Sequence, residues 1–223
     1  MQRSSVEFKD YYGVNFFMIV FSHVKKILDF TELVPVGSGG QSIVYRAVYK
    51  GQYYMALKQF ITPNIDVVRK DVLISKIICE LALESRRPEI VDIFNLPKDC
   101  FMFENELFEV FEFISGGSLE SLKFSVGKIP VKTICEIGKK LSVAIYCFHK
   151  TGFLHRDIKP GNVLLPTGKN LIRLCDFASS CPLGLIPARI GGTIGFLGPE
   201  QLLEYPACKA SDICGLCATL YFL

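Results

Sequence analysis

The chain has 223 residues, half of them apolar, enough to bury a sizeable core in one domain or two small lobes. With 25 basic and 22 acidic residues the net charge is only +3, which gives no ground for a nucleic-acid partner or an anionic membrane surface. Nine cysteines, an odd number without a framework spacing, argue against a disulfide-stapled secreted protein and for a reducing compartment, cytoplasm or nucleus.

Val14 to Phe21 is the first apolar run. It is too short for a bilayer span, which takes roughly twenty apolar residues. It also lacks the flanks of a signal peptide, so it reads as a helix or strand packing on the body, and no membrane partner is expected. From Leu33 to Phe60 alternating apolar, β-branched and tyrosine residues predict strands, broken at Gly37–Gly40 and at Lys50-Gly51. Asp66 to Glu84 predicts a helix, with Val67, Val68, Leu73, Ile77, Ile78 and Leu81 near helical spacing. Phe101 to Ile114 returns to strand, two runs joined at Glu104-Asn105, and Gly116-Gly117 breaks it. Val131 to Lys150 predicts a long helix carrying Ile134, Ile137, Leu141, Ala144, Ile145 and Phe148 on one face. Strands first and helices second predict an α+β protein of two unequal lobes meeting near Ser115–Gly117. Cys214 and Cys217 form a C-x-x-C without a second pair at zinc-ribbon spacing, inside a segment that reads as helix, so no metal is assigned there.

Four clusters carry chemistry. Gly37-Ser38-Gly39-Gly40-Gln41-Ser42-Ile43-Val44 lets the backbone turn tightly and approach a phosphate; alone it is also an ordinary hairpin turn, and no Gly-Lys-Ser/Thr follows to make it a P-loop. Lys58, in Ala56-Leu57-Lys58, stands fourteen residues after Val44 on a predicted strand, where a lysine is costly unless it meets an anion. It needs a carboxylate to hold it, and the following helix offers Glu80 and Glu84, of which Glu80 is preferred. His155-Arg156-Asp157-Ile158-Lys159-Pro160-Gly161-Asn162 sets charged and amide groups in a loop between a helix and an apolar strand. Asp176-Phe177-Ala178 follows fourteen residues after Asn162, and two oxygen donors on adjacent strands suit Mg²⁺.

From about Leu33 onward this ordered set resembles the eukaryotic protein kinase family, serine/threonine type. Gly37 to Val44 matches its glycine-rich loop, Ala56-Leu57-Lys58 its V-A-I-K strand, His155 to Asn162 its catalytic loop, Asp176-Phe177-Ala178 its D-F-G, and Gly198-Pro199-Glu200 its A-P-E. Ser211-Asp212-Ile213 is similar to the start of the helix whose aspartate braces the catalytic loop. The resemblance implies an N-terminal extension over 1–30, a small β-rich lobe with one helix over 31–114, and a mainly helical lobe over 115–223 that lacks the family's last helices. It implies ATP and Mg²⁺ as cofactors, with Asp157 accepting the substrate hydroxyl proton and Lys159 neutralising the phosphoryl group. Asn162 and Asp176 would carry magnesium, and Lys58, paired with Glu80, the α- and β-phosphates. The nucleotide would further meet Val36, Gly37, Ser38, Gly39, Gly40, Gln41, Ser42, Ile43 and Val44. Val44, Ala56 and Leu164 would sandwich the adenine, Phe111 would stand behind it, and Glu112 to Ile114 would offer backbone hydrogen bonds.

Lys159, where tyrosine kinases of the family carry alanine, and Thr193 before Gly198-Pro199-Glu200 imply serine/threonine substrates. Thr193 is expected against Asp157 and Lys159. Between Cys181 and Gly192 no serine, threonine or tyrosine occurs and Arg189 stands near the usual phosphosite, so a regulatory subunit or constitutive order is expected in place of loop phosphorylation. Ala178, Gly198 and Cys214 depart from the family pattern. The chain stops at Leu223 inside a helix, as a fragment or a pared-down kinase; Glu200 is expected to lack an arginine partner and Ile213 to Leu223 to expose apolar surface. Three functions stay open: a protein serine/threonine kinase, a pseudokinase scaffold, and a small-molecule kinase of similar fold, against which Lys159-Pro160 argues. Ala56 to Pro63 also resembles the cell-division kinase that triggers replication origins and depends on a regulatory subunit, which would bring a cell-cycle role.

Overall fold

Apolar alternation between Phe30 and Phe60 resolves into three antiparallel strands, β1 (Phe30–Ser38), β2 (Ser42–Tyr49) and β3 (Tyr53–Phe60). The computed structural model describes residues 27–168, 172–187 and 191–223. The apolar run Val14 to Phe21 and Arg189 therefore lie outside the described residues. Two further strands, β4 (Asp99–Phe103) and β5 (Glu106–Glu112), form a hairpin whose turn residues Glu104 and Asn105 take left-handed φ of 48° and 66°. That is the conformation a two-residue hairpin turn demands. The sheet runs β1-β2-β3-β5-β4.

Helix α1 (Ile65–Glu84) follows β3, its start capped by Asn64, whose Oδ1 accepts from Val67 N at 3.3 Å. Its buried face is Val68, Asp71, Ile74, Ile78 and Ala82, so the apolar stripe expected from the sequence is rotated and has a carboxylate in it. The upper part of this face packs on the sheet through Phe60, Cys100 and Leu107. Ile74 and Ile78 join the larger core below. That core centres on α3 (Val131–His149), whose buried Ile137, Leu141, Ala144, Ile145 and Phe148 form the expected face. Fully burying each such side chain contributes about 1.5–3 kcal/mol.

Between sheet and α3 the chain passes Gly116, where a Cβ would stand 1.9 Å from the Leu165 carbonyl oxygen, so only glycine fits. The short helix α2 (Leu119–Val126), capped by Ser118, adds an element beyond those expected from the sequence. After α3 come short strands: β6 (Phe153–Leu154) pairs with β9 (Cys181–Pro182), and β7 (Val163–Leu164) with β8 (Arg173–Leu174). A one-turn helix α4 (Pro199–Leu202) and α5 (Lys209–Phe222) complete the described chain. In α5, Leu216 and Thr219 turn inward, as does Leu223 just after it, while Ile213 and Tyr221 face solvent. The architecture is α+β, a five-stranded antiparallel sheet with one helix joined to a helical region, in the manner of the protein kinase fold. Among the described residues no helix is long and apolar enough to cross a membrane, and the nine cysteines form no disulfide.

Candidate active site

The loop after β6 is held from below by one carboxylate. Asp212, at the start of α5, is 1% exposed and takes hydrogen bonds from the backbone N–H of His155 (2.9 Å) and of Arg156 (2.7 Å) and pairs with His149 Nε2 (2.7 Å). Burial pushes this carboxyl up, but the His149 bond, the neighbouring His155 and the two backbone donors outweigh it, and it titrates below the ordinary aspartate range. The brace fixes Arg156 at a left-handed φ of 65°, and Gln201 Nε2 donates to the Arg156 carbonyl at 3.0 Å. His155 is fully buried, and burial holds its imidazole below the ordinary histidine range. Its Nδ1 accepts from Asp157 N at 3.3 Å, which leaves Nε2 as the nitrogen that donates to the Cys175 carbonyl at 3.1 Å.

Asp157 is thereby presented with its carboxylate oriented from three sides. Thr193 Oγ1 donates to Oδ1 at 2.7 Å, Asn162 Nδ2 to Oδ2 at 3.0 Å, and Lys159 Nζ lies 3.0 Å from Oδ2. Lys159 Nζ also donates to Thr193 Oγ1 at 2.7 Å. The Thr193 contacts expected from the sequence are thus present, as is the Asp212 brace.

Phe177 anchors the other acidic group. It is 1% exposed and meets Phe148, His155 and Phe94 at centroid separations of 5.2, 5.8 and 6.3 Å. This packing sets the preceding Asp176, at φ 64°, against the sheet, where Lys58 Nζ donates to its Oδ1 at 2.9 Å. Burial alone would raise Asp176; the charge and hydrogen bond of Lys58 more than offset it and hold the carboxyl low. For Lys58 the opposition is the same: burial lowers it, but Asp176, Glu109 and Asp71 in that order pull it well above the ordinary lysine value. Ala178 does not take a positive φ, so its methyl group meets no backbone penalty.

One expected pair is not formed. Glu80 lies on the exposed side of α1, with its Oε1 3.9 Å from Lys76 Nζ, about two and a half turns from the buried carboxylate of the same helix. Glu84 is exposed as well. The α1 carboxylate facing Lys58 is Asp71, 1% exposed and raised by burial. A carboxylate between Val68 and Ile74 on one helical face was the signal in the sequence. Beside it, Lys70 Nζ donates to the carbonyls of Ala178 (2.6 Å) and Ser180 (2.9 Å), tying α1 to the segment after Asp176.

Of the remaining predicted residues, Val44, Ala56 and Phe111 share the Lys58 face of the sheet, whereas Ile43, opposite Gln59, leaves the other. Val44 pairs with Lys58 across β2 and β3, and Ala56 with Phe111 across β3 and β5. Val36 is half exposed, Gly37 pairs with Val44, and Ser38 pairs with Ile43, which is half-buried. Gly39 N donates to the Ser42 carbonyl at 2.9 Å, and added Cβ atoms at Gly37, Gly39 or Gly40 would meet nothing within 4 Å; Gln41 is exposed at the tip. Glu112 accepts from Arg173 Nη1 at 2.6 Å, Ile114 is buried, and half-buried Leu164 bridges to Ser118.

Asp176 and Asn162 are hard oxygen donors suited to a divalent cation. Asp176 spends one oxygen on Lys58 with its side chain still 39% exposed, and Asn162 turns its amide nitrogen to Asp157, which directs its oxygen the other way. Among the described residues no group of three or more His, Cys, Asp or Glu is arranged to hold a metal ion. Mg²⁺ needs none, since it takes one or two carboxylates and fills its shell with phosphate and water.

A family model described as protein kinase domain matches residues 30–223. The chain is 31% identical over 195 residues to a protein named serine/threonine-protein kinase 36 from Pongo abelii, covering 86% of this chain and 14% of that one. It is 32% identical over 136 residues to serine/threonine-protein kinase nekl-2 from Caenorhabditis elegans, covering 56% and 38%. It is 36% identical over 107 residues to serine/threonine-protein kinase KIC1 from Saccharomyces cerevisiae, covering 47% and 10%. The chain thus spans less than two fifths of the length of each of these curated relatives. With the family match running through every element described above, the chain belongs to the protein kinase family.

Proposed function

We propose that the chain transfers the γ-phosphate of ATP to serine or threonine hydroxyls of proteins. The observation that carries this reading is the Asp157 carboxylate, fixed by Thr193, Asn162 and Lys159, and linked to the Lys58–Asp176 pair through Cys175 N, which donates to the Asn162 carbonyl at 3.0 Å. Phosphoryl transfer demands positioning and charge stabilisation more than covalent chemistry. Asp157 orients the substrate hydroxyl and takes its proton. Lys159 sets positive charge beside the transferring group, and Lys58 holds the α- and β-phosphates. Asp176 and Asn162 hold Mg²⁺, which when bound neutralises charge on the phosphate oxygens. Val44, Ala56 and Leu164 close on the adenine, and the β1–β2 turn covers the phosphates.

Thr193 between Asp157 and Lys159, and relatives whose names read serine/threonine kinase, support that acceptor class. Ala178 motivates a pseudokinase reading, but its unstrained backbone and the intact Lys58–Asp176 pair favour turnover. Arg156 is 6% exposed and directed at the Ser179 carbonyl, which supports regulation by a partner or by constitutive order. The cell-cycle role and the replication-origin subfamily rest on Ala56 to Pro63 together with the loop from Cys181 to Gly192 that carries no serine, threonine or tyrosine. The test is transfer of labelled γ-phosphate to serine, threonine and tyrosine peptide pools. Incorporation into the first two and its abolition by Asp157→Asn are expected; equal labelling by both proteins refutes the reading.

A further inference from the structure

Lys58 faces more carboxyl groups than its one bond uses. Glu109 stands directly opposite it in the β3–β5 pairing, so both side chains leave the same face of the sheet. Glu109 is 0% exposed, neither of its carboxylate oxygens has a hydrogen-bond partner, and on its face of the sheet β5 also carries buried Leu107, opposite buried Phe60. Asp71 brings a second buried carboxylate from α1, with Oδ1 also unpartnered. A carboxylate left without a partner in such surroundings opposes folding, so a role elsewhere is the physical reason to look for.

We propose that Glu109 is a positioning residue for Lys58, a carboxylate fixed on the sheet that takes the ammonium when Asp176 turns to a metal ion. The inference rests on the kinase reading, which gives Asp176 to Mg²⁺ and Lys58 to phosphate. An ammonium has three donors: one bonds Asp176 in this structure, and phosphate and Glu109 are the acceptors for the others. The backbone favours Glu109 over Asp71. Asp71 is one methylene shorter than a glutamate and rides on a helix, whereas Glu109 is locked to Lys58 by the ladder of adjacent strands. Anchoring of the lysine is therefore divided between helix and sheet, and its alignment depends less on where α1 sits.

The experiment compares the full chain with Glu109→Gln and Glu109→Met. Equilibrium binding of a fluorescent ATP analogue with Mg²⁺, kcat, and the urea midpoint are measured on each. Both variants are expected to weaken nucleotide binding and lower kcat by about tenfold, while the urea midpoint stays level or rises because a buried carboxyl without a hydrogen-bond partner is gone. A structural role would lower all three together, and that result overturns the proposal. Binding and kcat within twofold of the parent overturn it as well. A parent chain that binds no nucleotide overturns the kinase reading itself, a result distinct from either.

Discussion

Replacing Asp212 by Asn changes one atom at the foot of the catalytic loop. Oδ1 serves Arg156 N, and Oδ2 serves both His155 N and His149 Nε2. An asparagine keeps one oxygen, so whichever way it turns, its NH₂ faces at least one buried N–H. Each hydrogen bond to a charged group is worth about 1.5–3 kcal/mol, and an unpaired buried donor costs about 1–3 kcal/mol. The substitution should therefore remove about 3–5 kcal/mol, a third or more of the stability of an ordinary domain. At a urea slope of ~2.5 kcal/mol per molar this lowers the midpoint by roughly 1.5 M. The carboxyl is held below its unfolded value of about 3.9, so its contribution is complete above that pH and is lost as pH falls through the folded value. The gap between parent and variant should stay open at neutral pH and close in acid. Equal midpoints at pH 7, or a gap that widens on acidification, would refute the brace.

Thr193→Val removes the hydroxyl shared by Asp157 and Lys159 and is expected to lower kcat by about 10–100-fold with little change in KM for ATP, read from initial rates. Lys70→Met keeps the stem but loses both carbonyl bonds, at about 1–3 kcal/mol locally; faster amide exchange at the segment after Asp176 checks it. Gly116→Ala forces a methyl group to within 1.9 Å of the Leu165 oxygen and should lower Tm by roughly 6–12 °C, corresponding to about 3 kcal/mol, measured by calorimetry. Ala178→Gly should leave turnover within about threefold, since no positive φ is required there; a large gain would restore the pseudokinase reading.

The long elements were legible because their periodicity is strong. Ile137, Leu141, Ala144, Ile145 and Phe148 could only be one helix face, and Glu104-Asn105 between two apolar runs could only be a hairpin turn. Asp157, Asn162, Thr193 and Asp212 were legible through fixed offsets in the chain, which the folded loop turns into hydrogen bonds. Asp71 was not, because a carboxylate on a helix is read as solvent-facing and the eye passes to Glu80, which does face solvent. Glu109 was hidden similarly: a strand buried on both sides has no alternation to mark one residue as inward. The α1 stripe was misread by a fraction of a turn, since Val67, Leu73 and Ile77 are only partly buried edges of the true face.

The Asp212 brace also imposes an order in time. The His155 amide and the carboxylate that holds it are 57 residues apart in the chain. At translation speeds of about 5–20 residues per second, the loop leaves the ribosome roughly 3–11 s before its support is made. During that interval the nascent His155–Asp157 segment has nothing to set its left-handed turn, and these are the seconds in which a chaperone has most to protect.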